Sequence, residues 1–508
     1  MPQSLWLSDD QPEPFPPLDR NLSVDVAVVG GGITGTTAAY LLKQAGLKVA
    51  LLDKGQAGGA ETGHTTAHLT QVTDQRLSTL VDRFGTDVAR LVWDAGEDAV
   101  LQIEEIVKGE KIDCLFQRVP GYLHTPWDRE REEKEAESLR RDAELAAQMG
   151  FDVQWLDSVP LAGRPGVRFT NQALFHPFKY VRGLLQGLPG EGCFVFESSS
   201  VDEISEPQTL HVNGHLVRCD HVVIATHVPL QGKTGMAAAA LLQSRLAAYN
   251  TYAVSARMPK GFASPASFWD TSDPYYYLRL HEEGDELVAV FGGEDHKTGQ
   301  VSDTTERFAR LDHRMAEILP MHRAARHWSG QVIETSDGLP FIGETAPRQF
   351  IATGFAGNGM TFGTYAAMLI RDAVIGQTNP AMEVFRPSRG PSLGGVGTYL
   401  KENVDYPRYF LQDRMRPGEV ASLDEVPAGS GRIVRLDGKR VAAFRSSDGE
   451  LKCSSAVCPH MGCIVHWNEA ERSWDCPCHG SRFTAEGKLM AGPAESPLAE
   501  HEPAKSAH

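Results

Sequence analysis

A glycine-rich turn near the N-terminus limits the possible folds of this chain most strongly. Val24-Asp-Val-Ala-Val-Val29 has the composition of a buried strand, Gly30-Gly31-Gly32-Ile33-Thr34-Gly35 follows, and a helical run ends at Gly46. A second apolar strand ends at Asp53. Such a turn brings a pyrophosphate to a helix N-terminus, and the acid after the second strand hydrogen-bonds ribose. The segment predicts a Rossmann-like α/β domain that binds a dinucleotide through Gly30, Gly32, Ile33, Thr34, Gly35, Asp53 and Lys54.

Later segments favour FAD over NAD as that dinucleotide. The loop containing Thr62, Thr65 and Thr66 is rich in small and hydroxylated residues, which suit contact with a pyrophosphate or flavin. Another apolar strand ends at Thr226. Late in the chain a Gly-rich loop opens a helix, where backbone N–H groups would stabilise the negative charge of a reduced flavin. The predicted contacts there are Gly354, Gly357, Asn358, Gly359, Met360 and Thr361. The sequence has no second strand–G-x-G-x-x-G–helix unit, which argues against a nicotinamide domain.

Two Cys- and His-dense stretches lie near the C-terminus. They read Cys458-Pro-His460-Met-Gly-Cys463 and Cys476-Pro-Cys478-His479-Gly-Ser481. Structural zinc is the alternative for such residues, but zinc ligands come as Cys-x₂₋₄-Cys and His-x₃₋₅-His pairs. Here each stretch contributes one Cys and one His in close spacing. A [2Fe–2S] cluster with two cysteines on one iron and two histidines on the other needs such a set.

These segments together resemble two known families. Residues 23–380 resemble the D-amino-acid oxidase, sarcosine oxidase and glycine oxidase group of FAD-dependent oxidoreductases, which have a glutathione-reductase-type fold. That resemblance implies adenine contact at the Val201 backbone. The C-terminal stretches resemble Rieske proteins, which implies Cys458 and Cys476 on one iron and His460 and His479 on the other. It also implies that Met461 and the Gly492-Pro493 loop cover the cluster. The two further cysteines, Cys463 and Cys478, lie in equivalent places in the two stretches and could form a disulfide.

One position departs from the Rieske pattern. High-potential members have a tyrosine two residues after the serine of the second stretch, and its hydroxyl donates to a cluster-side sulfur. This chain has Ser481 but Phe483. Fewer hydrogen bonds to sulfur stabilise the reduced cluster less. We therefore expect a potential in the lower to middle part of the range of about −150 to +300 mV.

Composition divides the 508 residues into several predicted regions. We expect an N-terminal extension (1–22), a flavin module (23–380), a linker (381–417) and an all-β Rieske domain (418–508). Within the module we expect an FAD-binding α/β domain at about 23–90, 190–230 and 335–380, interleaved with an α+β substrate domain at about 91–189 and 231–334. We also expect a segment through Tyr399, Tyr406 and Phe410 to pack back on the flavin module.

Candidate catalytic residues come from two predicted strands. Alternation places Tyr275, Tyr277 and Arg279 on one face, where an Arg beside aromatic rings suits a substrate carboxylate. A surface Arg on a mixed strand is the alternative. His296 and Lys297 follow a strand and are candidates for a place near the flavin ring. His64 and His68 are considered as covalent attachment points for the flavin, although their spacing differs from that of relatives with a histidyl flavin.

Charge and composition limit the classes of molecule that this protein can be expected to bind. The net charge of −17 argues against nucleic acid. The sequence has no apolar run long enough for a membrane span and its start lacks signal-peptide features, so we expect a cytoplasmic protein. We expect oxidation of a small amine or amino-acid-like substrate, with electrons leaving FAD through the cluster to ferredoxin, a cytochrome, quinone or oxygen. The alternative is an electron-transfer reductase or redox sensor without an amine substrate.

Overall fold

A computed structural model describes residues 4–7, 12–127, 132–228, 242, 244–320, 324–390 and 405–501. Five β-sheets organise these residues. The predicted contact residue Tyr399 lies outside the described part of the chain, as do the other residues of 391–404 in the predicted linker.

A six-stranded sheet forms the predicted α/β domain. In order across the sheet its strands are Phe341–Ala346, Gln349–Thr353, His221–Ile224, Val26–Val29, Val49–Leu52 and Phe194–Phe196. The pairings are parallel except at the Phe341–Ala346 edge. Val26–Val29 and Val49–Leu52 are buried at every position, because a parallel sheet is covered on both faces. The helices Ile33–Gln44 and Gly359–Val374 pack together on one face.

A small four-stranded sheet covers the other face. Its strands are Leu22–Ser23, His215–Arg218, Thr209–Val212 and Val201–Ser205. Leu210 and Val217 from this sheet share a hydrophobic core with Ala27 and Leu52 of the larger one. This layer brings Val201 next to the carboxyl end of the parallel strands, where such sheets bind ligands.

A nine-stranded, mostly antiparallel sheet forms the second half of the module. Its strands are, in order, Arg326–Thr335, Leu246–Pro259, Glu286–Lys297, Tyr277–Glu283, Ala266–Asp270, Gln117–His124, Gly166–Leu174 and His68–Leu69, with Val153–Leu156 paired to Gly166–Leu174. The module's other helices of eight or more described residues are Leu77–Phe84, Thr86–Gly109, Glu132–Gln148, Pro177–Gln186 and Thr304–Ile318. The α/β and α+β parts of the predicted fold class are thus confirmed.

Two small sheets form the C-terminal domain. One contains Gly431–Leu436, Lys439–Arg445 and Leu451–Ser455, and the other His466–Asn468, Ser473–Asp475, Arg482–Thr484 and Leu489–Ala491. Trp474 and Phe483, on two strands of the second sheet, are fully buried in the hydrophobic core of this domain. This all-β domain confirms the third part of the fold class. No helix in the described ranges is long and apolar enough to cross a membrane.

The helix Asp405–Met415 corrects one expectation. Phe410 packs against the core of the C-terminal domain rather than on the flavin module. The Arg414 guanidinium donates to the Gly462 carbonyl at 2.6 Å, and the Asp413 carboxylate contacts His466 Nε2 at 2.9 Å. The helix therefore belongs with the loop that carries His460.

Candidate active site and metal centre

A cavity of about 830 Å³ lies between the six-stranded and nine-stranded sheets. This volume is typical of small-molecule and cofactor sites. The glycine-rich turn contributes to its wall at Gly30 and Gly32, and the nine-stranded sheet contributes Tyr277 and Asp295.

The glycine-rich turn is shaped by close backbone packing. Gly30 has φ +100°, and a Cβ there would lie 2.4 Å from the Ala225 carbonyl oxygen. The helix that follows begins at Ile33, whose N–H donates to the Thr62 hydroxyl at 3.0 Å. Its N-terminus points into the cavity wall, where backbone N–H groups and the helix dipole favour an anion. The turn thus fits a pyrophosphate.

Asp53 lies where the second strand ends, as the sequence predicts. Its carboxylate accepts hydrogen bonds from the N–H groups of Gly31 at 2.7 Å and Gly55 at 2.8 Å. The side chain still lines the cavity, and a carboxylate has further lone pairs for a ribose hydroxyl.

A second helix N-terminus faces the same cavity. The helix Gly359–Val374 begins without a side-chain cap on Asn358, because that side chain instead donates to Val72 O at 2.9 Å and accepts from Asp74 N at 3.1 Å. A Cβ on Gly359 would meet open space. Two helix N-termini on one cavity fit FAD, with its pyrophosphate at one and its ring at the other.

Nearly all of the predicted cofactor contacts line this cavity. They are Gly30, Gly32, Ile33, Thr34, Asp53, Lys54, Thr62, Thr65, Thr66, Val201, Thr226, Gly357, Asn358, Gly359 and Met360. The other three support the wall from behind. A Cβ on Gly35 would lie 1.9 Å from Gly30 O, Gly354 packs on Thr335, and the Thr361 hydroxyl donates to Asn358 O.

The far end of the cavity contains acids that the sequence did not single out. Asp74 accepts from the Tyr275 hydroxyl at 2.9 Å and from Gly357 N at 2.6 Å, and burial raises its pKa. Burial also raises the pKa of Asp295 to about 7, and Asp74 adds to that effect. Strand alternation separates Asp295 from His296, but nothing in the sequence tells which face meets the cavity.

His68 forms part of this same wall. Its ring lies 5.3 Å from Trp269 and 6.0 Å from Tyr277, centroid to centroid. Burial, with a contribution from Arg279, lowers the pKa of His68 to about 3. Neither ring nitrogen has a hydrogen-bond partner among the described residues. His68 therefore offers a neutral imidazole to whatever fills the cavity.

Three of the four predicted catalytic residues lie elsewhere. Arg279 is buried and its Nη1 donates to the carbonyls of Thr66, Ala67 and Phe175 at 2.9 to 3.1 Å, so the prediction that it binds a substrate carboxylate is corrected. It supports the Thr66–Ala67 turn instead.

His296 and Lys297 are not among the cavity-lining residues. His296 Nε2 contacts the Tyr252 hydroxyl at 3.0 Å, because His296 points to the opposite face from Asp295. Tyr277 lines the cavity.

The four predicted cluster ligands converge in the C-terminal domain. The Cys476 thiol, together with N–H groups of His460 and Met461 and the Ser481 hydroxyl, lowers the pKa of Cys458 to about 7. The rings of His460 and His479 lie 5.0 Å apart. His460 Nε2 is buried without a hydrogen-bond partner among the described residues. Two adjacent sulfurs and two adjacent imidazoles fit a [2Fe–2S] cluster of the Rieske type.

A disulfide joins the two ligand loops. Cys463 and Cys478 are bonded, as their equivalent places in the two stretches indicated, and the Cys476 sulfur lies within 4.8 Å of both. Ser481 is buried and its hydroxyl accepts from Ala494 N at 2.9 Å, which holds a third loop, the one that contains Gly492-Pro493, in place.

The C-terminal domain packs directly on the flavin cavity. A Cβ on Gly480 (φ +76°) would lie 2.2 Å from Ala248 Cβ, and one on Gly299 would lie 2.8 Å from Pro477 N. Lys54 Nζ donates to Met490 O at 2.8 Å. The third loop contributes Leu489, Gly492, Pro493, Ala494 and Glu495 to the cavity wall.

A buried polar network strengthens this contact. Arg482 pairs with Glu471 and, at 3.2 Å, with Asp475. Asn250 of the nine-stranded sheet donates to Glu471 at 3.1 Å and accepts from Thr298 at 2.6 Å. The Asn250 hydrogen bond joins these buried ion pairs of the C-terminal domain to the flavin module, which favours one relative position of the two domains.

Comparison with known sequences identifies both parts. The sequence model of the FAD dependent oxidoreductase family matches residues 25–373, more than half of the chain. The chain belongs to that family. The model of the Rieske [2Fe-2S] domain matches residues 417–502. The flavin module therefore takes FAD, and the Rieske domain takes one [2Fe–2S] cluster.

Relatives share the layout and the fold. YhfW of Bacillus subtilis (strain 168), described as a Rieske 2Fe-2S iron-sulfur protein, is 30% identical over 98% of this chain and 97% of its own. Glycine oxidase from Geobacillus kaustophilus has a TM-score of 0.58 at 20% identity and covers 73% of this chain and 100% of its own. L-proline dehydrogenase from P. horikoshii has a TM-score of 0.58 at 18% identity, with 73% and 98% covered. At these identities the two structures indicate the fold alone.

Proposed function

We propose that this protein is a cytoplasmic FAD-dependent dehydrogenase that oxidises a small amine or amino-acid-like substrate at a CH–NH bond. Its electrons leave through the Rieske domain to an external acceptor. The observation that carries this proposal is the packing of the Cys476–Ser481 loop on the strands that line the flavin cavity. When bound, FAD supplies a two-electron acceptor and the cluster a one-electron carrier.

The choice of an amine rests on the fold and on the cavity. Glycine oxidase and L-proline dehydrogenase, which share the fold, have names that denote oxidation of amino acids. The end of the cavity beside Gly357 is enclosed by Tyr275, Tyr277 and Trp269. Aromatic walls exclude water and position a small organic molecule.

Two glycines at the domain contact, one in each domain, support electron transfer within one chain. Gly299 and Gly480 both have positive φ, and each lets backbone of one domain meet the other without an intervening side chain. The loop carrying His479 therefore lies against the flavin module. The loop carrying His460 contacts the Asp405–Met415 helix instead.

The loop that carries His460 is the proposed exit for electrons. Four apolar side chains on it and on the adjacent helix are exposed: Val457, Met461, Leu411 and Met415. Exposed apolar groups around a redox centre favour a protein acceptor such as a ferredoxin or cytochrome over quinone or oxygen. Arg414, exposed on the same helix, would favour an acidic partner.

The test is anaerobic mixing of the FAD- and cluster-loaded protein with a panel of amines and amino acids. We expect at least one compound to bleach the flavin absorbance stoichiometrically, followed by the signal of the reduced cluster in electron paramagnetic resonance. A panel that leaves the flavin oxidised, while an external donor reduces the cluster and then the flavin, would favour the reductase alternative and contradict the proposal.

A further inference from the structure

The two ends of the flavin cavity differ in chemistry. The nucleotide end contains Gly32, Asp53 and Lys54. The other end, beyond the Gly357 loop, contains the carboxylates of Asp74 and Asp295. Since the flavin ring is expected at the Gly357 loop, this acidic end is where a substrate would meet it.

Asp295 has an unused hydrogen-bonding position. Its Oδ1 is buried and has no hydrogen-bond partner within the described ranges. Its carboxylate bonds to Thr251, whose hydroxyl also contacts the Tyr277 hydroxyl at 2.6 Å. A buried carboxylate oxygen without a donor is costly, so a ligand that donates a hydrogen bond there is favoured.

Asp74 completes a second side of the same space. Tyr275 and Gly357 hold its carboxylate in place. The rings of Tyr275 and Tyr277 lie 5.7 Å apart, and the negative charge of both Asp74 and Asp295 acts on the two phenols. Two carboxylates with aromatic rings beside them can recognise a cation through ion pairing and cation–π attraction.

The cations near the cavity are largely engaged elsewhere. Lys54 donates to Met490 O at the nucleotide end, and Arg279 is buried against backbone carbonyls. Arg76 lines the cavity, but it pairs with Asp142 and, at 4.0 Å, with Glu135. Its Nη2 has no partner among the described residues, so it is the group that a substrate carboxylate would use if the substrate were an amino acid.

We propose that Asp74 and Asp295, with the rings of Tyr275 and Tyr277, bind the ammonium group of a substrate amine that has no carboxylate on the adjacent carbon. This proposal rests on the amine oxidation proposed above and narrows its substrate class. A carboxylate on the carbon that bears the ammonium would lie close to the two acids. Neighbouring like charges repel strongly in a largely buried site.

The experiment uses amines and the amino acids that differ from them by one α-carboxylate. The pairs are methylamine and glycine, phenethylamine and phenylalanine, and cadaverine and lysine. Binding to the loaded, anaerobic protein is measured by calorimetric titration, and flavin bleaching is recorded separately. We expect at least one amine to bind tenfold or more tightly than its amino acid. Amino acids that bind more tightly than every matched amine would overturn the inference.

Variants of the two acids test whether they cause the tighter binding of the amine. Asp295→Asn should weaken binding of the preferred amine at least tenfold, as should Asp74→Asn. Asp285→Asn is the matched control, because it removes the same charge from an exposed turn of the same sheet, and it should leave affinity within twofold. Equal weakening by Asp285→Asn would overturn the assignment. If a variant does not fold, the comparison of matched ligands on the unaltered protein still decides.

The inference and the proposed function fail in different ways. An amine that binds but never bleaches the flavin contradicts the proposed oxidation and leaves the recognition intact. Flavin bleaching by glycine or phenylalanine, without tighter binding of the matched amine, supports the oxidation and overturns the recognition.

Discussion

The side-chain amide of Gln331 donates a 2.8 Å hydrogen bond to the carbonyl of Gly480. Gln331 lines the flavin cavity, and Gly480 follows the cluster ligand His479 directly. The Gln331 N–H also donates to Glu61, another residue of the cavity wall. A single residue thus contacts both cofactor sites, and the proposed electron transfer between them would have a covalent and hydrogen-bonded route through Gln331.

Replacing Gly480 with alanine should slow electron transfer between the two sites. The added Cβ would lie 2.2 Å from Ala248 Cβ, so the loop must move away from the flavin module. We expect flavin bleaching to be unchanged and cluster reduction to slow at least tenfold in stopped-flow absorbance.

Gly438→Ala is the control for that variant. Gly438 has φ +77° but open space where its Cβ would lie, so it tests backbone strain without a collision. Equal slowing in both variants would mean that domain contact is not the cause.

Phe483→Tyr should raise the potential of the cluster. Phe483 is fully buried beside the second ligand loop, and a hydroxyl there would add a hydrogen bond to sulfur. One hydrogen bond of about 1 kcal/mol corresponds to roughly 40 mV for a one-electron centre. Protein-film voltammetry measures the shift, and Phe444→Tyr, at a buried position in the neighbouring sheet, is the control. A fall in potential would contradict the hydrogen-bond explanation.

Amine binding should strengthen as pH rises through about 7. Burial raises the pKa of Asp295 to about 7; Asp74 and Glu294 add to the rise, while Thr251 and Arg307 oppose it. Below that pH the carboxyl is protonated and cannot pair with an ammonium. Affinity should fall up to tenfold per pH unit there, and Asp295→Asn should remove the dependence.

The raised pKa of Asp295 also determines whether folding stability rises or falls with pH. Between about pH 4 and pH 7 the unfolded chain releases the Asp295 proton while the folded chain keeps it, so folding weakens as pH rises. Asp295→Asn should therefore reduce that loss in thermal denaturation. A binding profile that is flat across pH 7 in the unaltered protein would contradict the role of Asp295.

Removing the disulfide should destabilise the Rieske domain selectively. The bond between Cys463 and Cys478 closes a loop of 15 residues, for which chain entropy predicts about 3 kcal/mol. In a Cys463→Ser, Cys478→Ser variant the cluster absorbance should be lost at lower denaturant than in the parent, while the flavin transition stays. Cys453→Ser, outside the disulfide, should change neither.

The sequence identifies both cofactors because their chemistry needs particular local residues. Gly30 and Gly480 have positive φ, and Cys458 and His460 lie two residues apart, so each pattern is visible along the chain. The substrate end is different. Asp74, in a loop, and Asp295, on a strand, are more than 200 residues apart and come together only in the tertiary fold.

Arg279 shows why the catalytic prediction failed. Alternation groups residues by face but does not tell which face is buried beneath the cavity wall. The packing of Trp6 over its guanidinium, at 5.0 Å, comes from a segment more than 270 residues away. Such long-range contacts leave no local pattern.

The most direct test of this account is the dependence of cluster reduction on protein concentration. After anaerobic mixing with an amine that bleaches the flavin, freeze-quenched samples are followed by electron paramagnetic resonance at several concentrations of the loaded protein. Electron transfer within one chain predicts that the reduced-cluster signal appears at the same rate at every concentration. A rate that rises in proportion to concentration, or a cluster that stays oxidised beside a bleached flavin, would contradict it.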